Sequence, residues 1–128
     1  TREYNRLGQP VIVTDAQGTR TFTYDTNTFA LLSESINGTN VLSYSYDKGR
    51  QTGYTSGYAE HQLRKTIIFD DYGRQSSISA FSNGETNTFH FNYLHGSTMV
   101  SSITNNLGFG VSKYYEDSRN LITCVSNS

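Results

Sequence analysis

Apolar and polar residues alternate with a period of two along most of this chain. In TRTFTYD, Phe22 and Tyr24 fall on one side and Thr21 and Thr23 on the other; in LSYSYD, Tyr44 and Tyr46 oppose Ser43 and Ser45. NTFHFNY extends the pattern through Phe89, Phe91 and Tyr93. Successive side chains of an extended strand point to opposite faces, so the alternation predicts strands with one aromatic face and one hydroxylated face. Such a sheet is expected to be antiparallel, packed on its aromatic side and wet on the other.

Between the strands the turns recur. Aromatic-led phrases start at Tyr4 (YNRLGQ), Tyr24 (YDTNTF), Tyr46 (YDKGRQ), Phe69 (FDDYGRQ), Tyr93 (YLHGST) and Tyr115 (YEDSRN), at intervals of 20, 22, 23, 24 and 22 residues. Inside most periods lies a second turn signal: DAQG ending at Gly18, INGT around Gly38, SNGE around Gly84 and NNLG ending at Gly108. Each period therefore holds two strands and two turns, and residues 1–128 read as a single array of about six repeats. The third repeat has TSGYAEHQLRK in place of a clean second turn, and its tail is expected to run as a strand into TIIF. The fold class that follows is all-β: about twelve strands in consecutive antiparallel hairpins, forming a curved, spiralling sheet.

Composition sharpens the pattern. Only 34% of the residues are hydrophobic, yet there are ten Tyr and seven Phe and no Trp, so aromatic rings must supply much of the apolar contact. The net charge of −1 and the absence of long charged runs point to no nucleic acid and no polybasic membrane patch. No stretch approaches eighteen apolar residues, so no membrane span is expected. Cys124 is the sole cysteine, which excludes an internal disulfide. The chain opens and stops within a repeat and has no initiator Met, and reads as an excerpt of a longer protein.

Turn chemistry accounts for the recurring phrase. In FDDYGRQ, Phe69 is expected to face Arg74 across a loop of Asp70 to Gly73, where Asp bonds the backbone ahead and Gly supplies a left-handed conformation. In YDKGR, Tyr46 would face Arg50 across Asp47, Lys48 and Gly49. A ring opposite an Arg adds a cation–π contact of roughly 0.5–1 kcal/mol at an exposed site.

The residues TYDTNT, SYSYDKGRQTG and FDDYGRQSSI resemble the YD repeat, or Rhs repeat, whose pattern is an aromatic, Asp, two variable residues, Gly and Arg. The resemblance covers nearly the whole chain. Tyr24, Asp25, Tyr46, Asp47, Gly49, Arg50, Phe69, Asp70, Gly73 and Arg74 sit on the motif; YDTNTF lacks its Gly and Arg, YLHGST lacks its Asp and Arg, and Ser118 stands where a glycine belongs. The resemblance implies a β-sheet spiralling into a shell that encloses a C-terminal payload, or a surface-displayed scaffold, and hence a secreted, exported or cell-surface setting. Its partners would be flanking repeats and the enclosed payload. The associated self-cleavage motif, Asp-Pro-x-Gly, is absent, since the only proline is Pro10.

No constellation of residues points to an enzyme, a cofactor or a metal. Asp70 and Asp71 resemble a catalytic dyad, but Asp25, Asp47 and Asp70 occupy equivalent places, which fits a turn role required in every copy. Arg50, Arg74 and Arg119 recur in step in the same way. His61, His90 and His95 lack ligand spacing for zinc, and no glycine-flanked nucleophile elbow is present. Asn37-Gly38-Thr39 is a glycosylation sequon and also a tight hairpin turn. Carbohydrate binding is the rival reading, because an exposed row of tyrosines beside Asn, Asp and Arg stacks sugars well. The positions left free by the repeat are Asp71 and Tyr72, which form the candidate ligand-facing loop tip. Open strand edges imply self-association.

Overall fold

A computed structural model describes residues 1–57 and 61–128. The chain is all-β, and among the described residues there is no helix. The strands are β1 (Arg2–Tyr4), β2 (Pro10–Asp15), β3 (Gly18–Tyr24), β4 (Leu31–Ile36), β5 (Thr39–Asp47), β6 (Arg50–Ser56), β7 (Leu63–Phe69), β8 (Gln75–Ser82), β9 (Glu85–Tyr93), β10 (Val100–Asn105), β11 (Gly110–Tyr115) and β12 (Ile122–Asn127). They form one open antiparallel sheet in chain order. Of TSGYAEHQLRK, residues 58–60 lie outside the described residues, whereas Leu63–Lys65 belongs to β7 and runs into TIIF as the sequence predicts. The chain divides into two compact units, Thr1–Lys65 and Thr66–Ser128.

In the first unit, register carries the alternation from strand to strand. Val13 pairs Arg20, Phe22 pairs Glu34, Glu34 pairs Leu42 and Tyr44 pairs Tyr54, so these residues share the aromatic face. Thr14 pairs Thr19, Thr21 pairs Ser35, and Ser33 pairs Ser43, building the hydroxyl face. There Thr14 and Thr19 share a hydroxyl hydrogen bond of 3.2 Å. Gly53 is buried on the hydroxyl face, opposite Ser45. A Cβ built on it would stand 2.3 Å from the Lys65 carbonyl oxygen, so only glycine fits.

The second unit repeats the scheme. Ile78 pairs Phe89, Phe91 pairs Ile103, and Ile103 pairs Val111 on the aromatic face; Ser79 pairs Thr88 and Ser102 pairs Ser112 on the other. Phe89 and Phe109 meet edge to face with centroids 6.4 Å apart. The Ser79 and Thr88 hydroxyls bond at 2.9 Å.

The expected division into a packed side and a wet side is not what forms. No hydrophobic side chain among the described residues is fully buried, and the most enclosed polar one, Ser77, lies on the hydroxyl face at 6% exposure. The physical reason is that a single-layer sheet offers its aromatic rings only lateral cover from neighbouring strands. Large rings therefore stay half exposed, while small residues next to the backbone disappear between their neighbours.

Candidate functional site

The recurring turns show why the repeat needs its polar residue and its glycine. Asp70 closes a five-residue turn: its N–H donates to the Arg74 carbonyl (2.8 Å) and its carbonyl accepts from Gly73 N–H (2.9 Å). Its Oδ1 accepts from the N–H groups of Tyr72 (3.0 Å) and Arg74 (2.9 Å). Gly73 has φ +79°, the left-handed region that a side chain resists. Asn5 and Asn105 build the same turn with the same bonds, so the requirement is for an Oδ1 acceptor and not for a charge. Asp25 caps a longer turn through Asn27 and Thr28, and there Phe29 takes the left-handed position at φ +58°. Asn120 does so after Tyr115, at φ +55°.

The pairing expected from sequence is displaced by one residue in both RQ-type turns. Asp70, not Phe69, faces Arg74. Asp47, not Tyr46, faces Arg50, across a two-residue loop of Lys48 (φ +48°) and Gly49 (φ +77°), and Tyr46 pairs Gln51. Two consecutive left-handed residues match the natural twist of a hairpin, so the shorter loop is the more favourable closure.

Arg74 is accordingly used differently. Its Nε donates to Asp70 Oδ2 at 2.7 Å, and Nη1 donates to the Ser97 carbonyl in the next long turn. Its guanidinium lies over the Tyr93 ring, 4.3 Å from the centroid, and over Tyr72 at 5.0 Å. The cation–π partner is thus the aromatic of the following repeat, and the arginine ties two successive turns together. Partial burial would raise the Asp70 pKa; the Arg74 N–H, its side-chain hydrogen bond and charge, and the Tyr72 N–H outweigh it and hold the carboxyl below its ordinary range. The Asp25 carboxyl is lowered first by the Thr28 N–H, then by the Asn27 N–H and the Thr28 hydroxyl. The lowering comes in both cases from hydrogen bonds within the turn, joined at Asp70 by the Arg74 charge.

Tyr72, at 84% exposure, and Asp71 stand at the tip of the Asp70 turn. Tyr72, Arg74, Gly96, Ser97 and Thr98 line a shallow recess. The three histidines are exposed and scattered: His61 precedes β7, His90 lies in β9 and His95 in the loop after it. No group of three or more His, Cys, Asp or Glu among the described residues is placed to hold a metal ion. Among the described residues, no helix is long and apolar enough to cross a membrane.

Two sets of inter-strand bonds escaped the sequence pattern. The first uses the repeat tyrosines. Ile12 faces Thr21, and three residues on Tyr24 donates its hydroxyl to the carbonyl of Pro10, two residues before Ile12 (2.9 Å). The same rule joins Ser33–Ser43 with Tyr46 to Leu31 (2.9 Å). It also joins Ser77–His90 with Tyr93 to Gln75 (2.6 Å), and Ser102–Ser112 with Tyr115 to Val100 (2.8 Å). The second set lies at the opposite turns: Asn37 Oδ1 accepts from Thr19 N–H (2.9 Å), and Asn106 Oδ1 accepts from Thr88 N–H (2.8 Å) while its Nδ2 donates to the Thr86 carbonyl (2.8 Å). Asn37 in the sequon is therefore also a clamp on the preceding hairpin.

Compared with family models and with curated proteins, the chain has no match.

Proposed function

We propose that this chain is a structural scaffold of YD-repeat type, a stretch of wall from an encapsulating shell or a surface-displayed protein. The observation that carries the reading is the tyrosine-to-carbonyl lock made four times by one geometric rule. It spends the hydroxyl donor of the repeat's most characteristic side chain on holding each strand to the one before it. Asp70 and Asp25 are likewise committed to turns. The partners in this reading are flanking repeats and an enclosed C-terminal segment, and the chain has no catalytic role of its own.

Carbohydrate binding is supported by a narrower observation: Tyr72 presents an open ring at a loop tip with Arg74 behind it. A glycan array separates the two. The scaffold reading expects no saccharide whose binding is lost in Tyr72→Ala, and such a saccharide would replace it with the lectin reading.

A further inference from the structure

Two hairpins turn on the same dipeptide, Asn37-Gly38 between β4 and β5 and Asn83-Gly84 between β8 and β9. Both loops have two residues, closed by Ile36 opposite Thr39 and by Ser82 opposite Glu85. All four loop residues are left-handed, with φ of +50° and +81° in the first and +53° and +84° in the second. An asparagine before a glycine can lose its amide to attack by the next backbone nitrogen, which no side chain shields. At both glycines the space where a β-carbon would stand is open. The asparagine side chains differ. Asn37 is held: Oδ1 accepts from the Thr19 N–H (2.9 Å), and its own N–H donates to the Thr19 carbonyl (2.8 Å). Its amide also packs on Gly18, where a β-carbon would stand 2.8 Å from Cγ. Asn83 and Gly84 are exposed. Within their own unit, among the described residues, neither the Asn83 amide nor the Gly84 N–H makes a hydrogen bond.

We propose that Asn83 is a site of spontaneous deamidation, and that the clamp on Thr19 protects Asn37 from the same reaction. The Gly84 N–H gives its proton to solvent base, the Gly84 nitrogen bonds to Asn83 Cγ, and the Cγ–Nδ2 bond breaks to release ammonia. The succinimide so formed takes up one water, which opens either of its two C–N bonds. Opening at the side-chain carbonyl leaves aspartate; opening at the main-chain carbonyl leaves isoaspartate, with one more methylene in the backbone. Either product adds a negative charge beside Glu85. Isoaspartate also lengthens a loop whose size fixes the pairing of Ser82 with Glu85. Asn83 thus dates the β8–β9 hairpin chemically, while β4–β5 is spared. For Asn37 to react, its Cγ must turn to the Gly38 nitrogen and give up the Thr19 N–H. The loss of one hydrogen bond slows the reaction roughly two- to tenfold.

The test follows both asparagines in one sample. The 128-residue chain is held at mildly alkaline pH, with its fold monitored by circular dichroism, and aliquots are mapped by peptide mass spectrometry and by isoaspartate-specific methylation. A parallel sample is held in concentrated guanidinium. In the folded chain Asn83 should convert roughly two- to tenfold faster than Asn37, with isoaspartate at position 83. In guanidinium the clamp is gone and the two rates should draw level, since both asparagines precede a glycine. Equal rates in the folded chain, or a faster Asn37, would overturn the protection by Thr19. An Asn83 that stays intact would overturn the site itself. A ratio as large in guanidinium as in the folded chain would assign the difference to Thr39 and Glu85, the residues after each dipeptide, and would overturn the structural cause.

Discussion

Asp70 shows how much of a repeat turn rests on one side-chain oxygen. Its pKa is held below the ordinary 3.8, so its contribution to stability is complete above that value and is lost as pH falls through the lowered one. Asp70→Asn should keep the turn, because Asn5 and Asn105 cap identical turns, but should lose the ion pair with Arg74. The drop in melting temperature between about pH 5 and about pH 2 should therefore be smaller in Asp70→Asn than in the wild type. An unchanged drop would assign acid sensitivity elsewhere. Phe29 is a bulky residue at φ +58°, where a β-carbon costs about 1–2 kcal/mol. Asn tolerates that conformation better, so Phe29→Asn should raise stability by about 0.5–1 kcal/mol in a denaturant melt. Gly73→Val should do the reverse and destabilise by about 1–2 kcal/mol.

At the scale of the hairpin, the tyrosine lock and the asparagine clamp act at opposite ends of the strands. Tyr115→Phe removes only the donor to the Val100 carbonyl and should cost about 0.5–1.5 kcal/mol, measured by the midpoint of unfolding. Gly53→Ala should cost more, about 1–3 kcal/mol, because its Cβ meets a backbone oxygen that cannot rotate away. The strands themselves were legible in the sequence, since alternation of Phe22 and Tyr24 with Thr21 and Thr23 has only one extended reading. Their assignment to an aromatic and a hydroxyl face held through the register. The closure at Asp47 and Arg50 differs by one residue from the sequence reading because Lys48, a residue with a side chain, takes the left-handed conformation beside Gly49 and shortens the loop to two residues. The lock was illegible for another reason. Its acceptors, Pro10, Leu31, Gln75 and Val100, share a backbone carbonyl and no side-chain chemistry. A spacing rule relative to each tyrosine exists, but only the register reveals it.

For the chain as a whole, the absence of a fully buried apolar side chain among the described residues shifts the weight of stability to contacts between adjacent hairpins. In arrays of this kind stability approximates a sum of repeat terms and nearest-neighbour terms, so each added interface raises it. Low aliphatic content, an aromatic-rich half-covered face and inter-strand locks all fit that mode of construction. The polar groups of the recurring turns take part in the same construction, bonded within the turns and to neighbouring strands. The most direct measurement compares guanidinium unfolding of the 128-residue chain with that of two copies fused in frame. Neighbour-dependent construction predicts a higher midpoint and a steeper transition for the fusion. An unchanged midpoint and slope would mean that each copy is stable by itself, and would contradict the scaffold account.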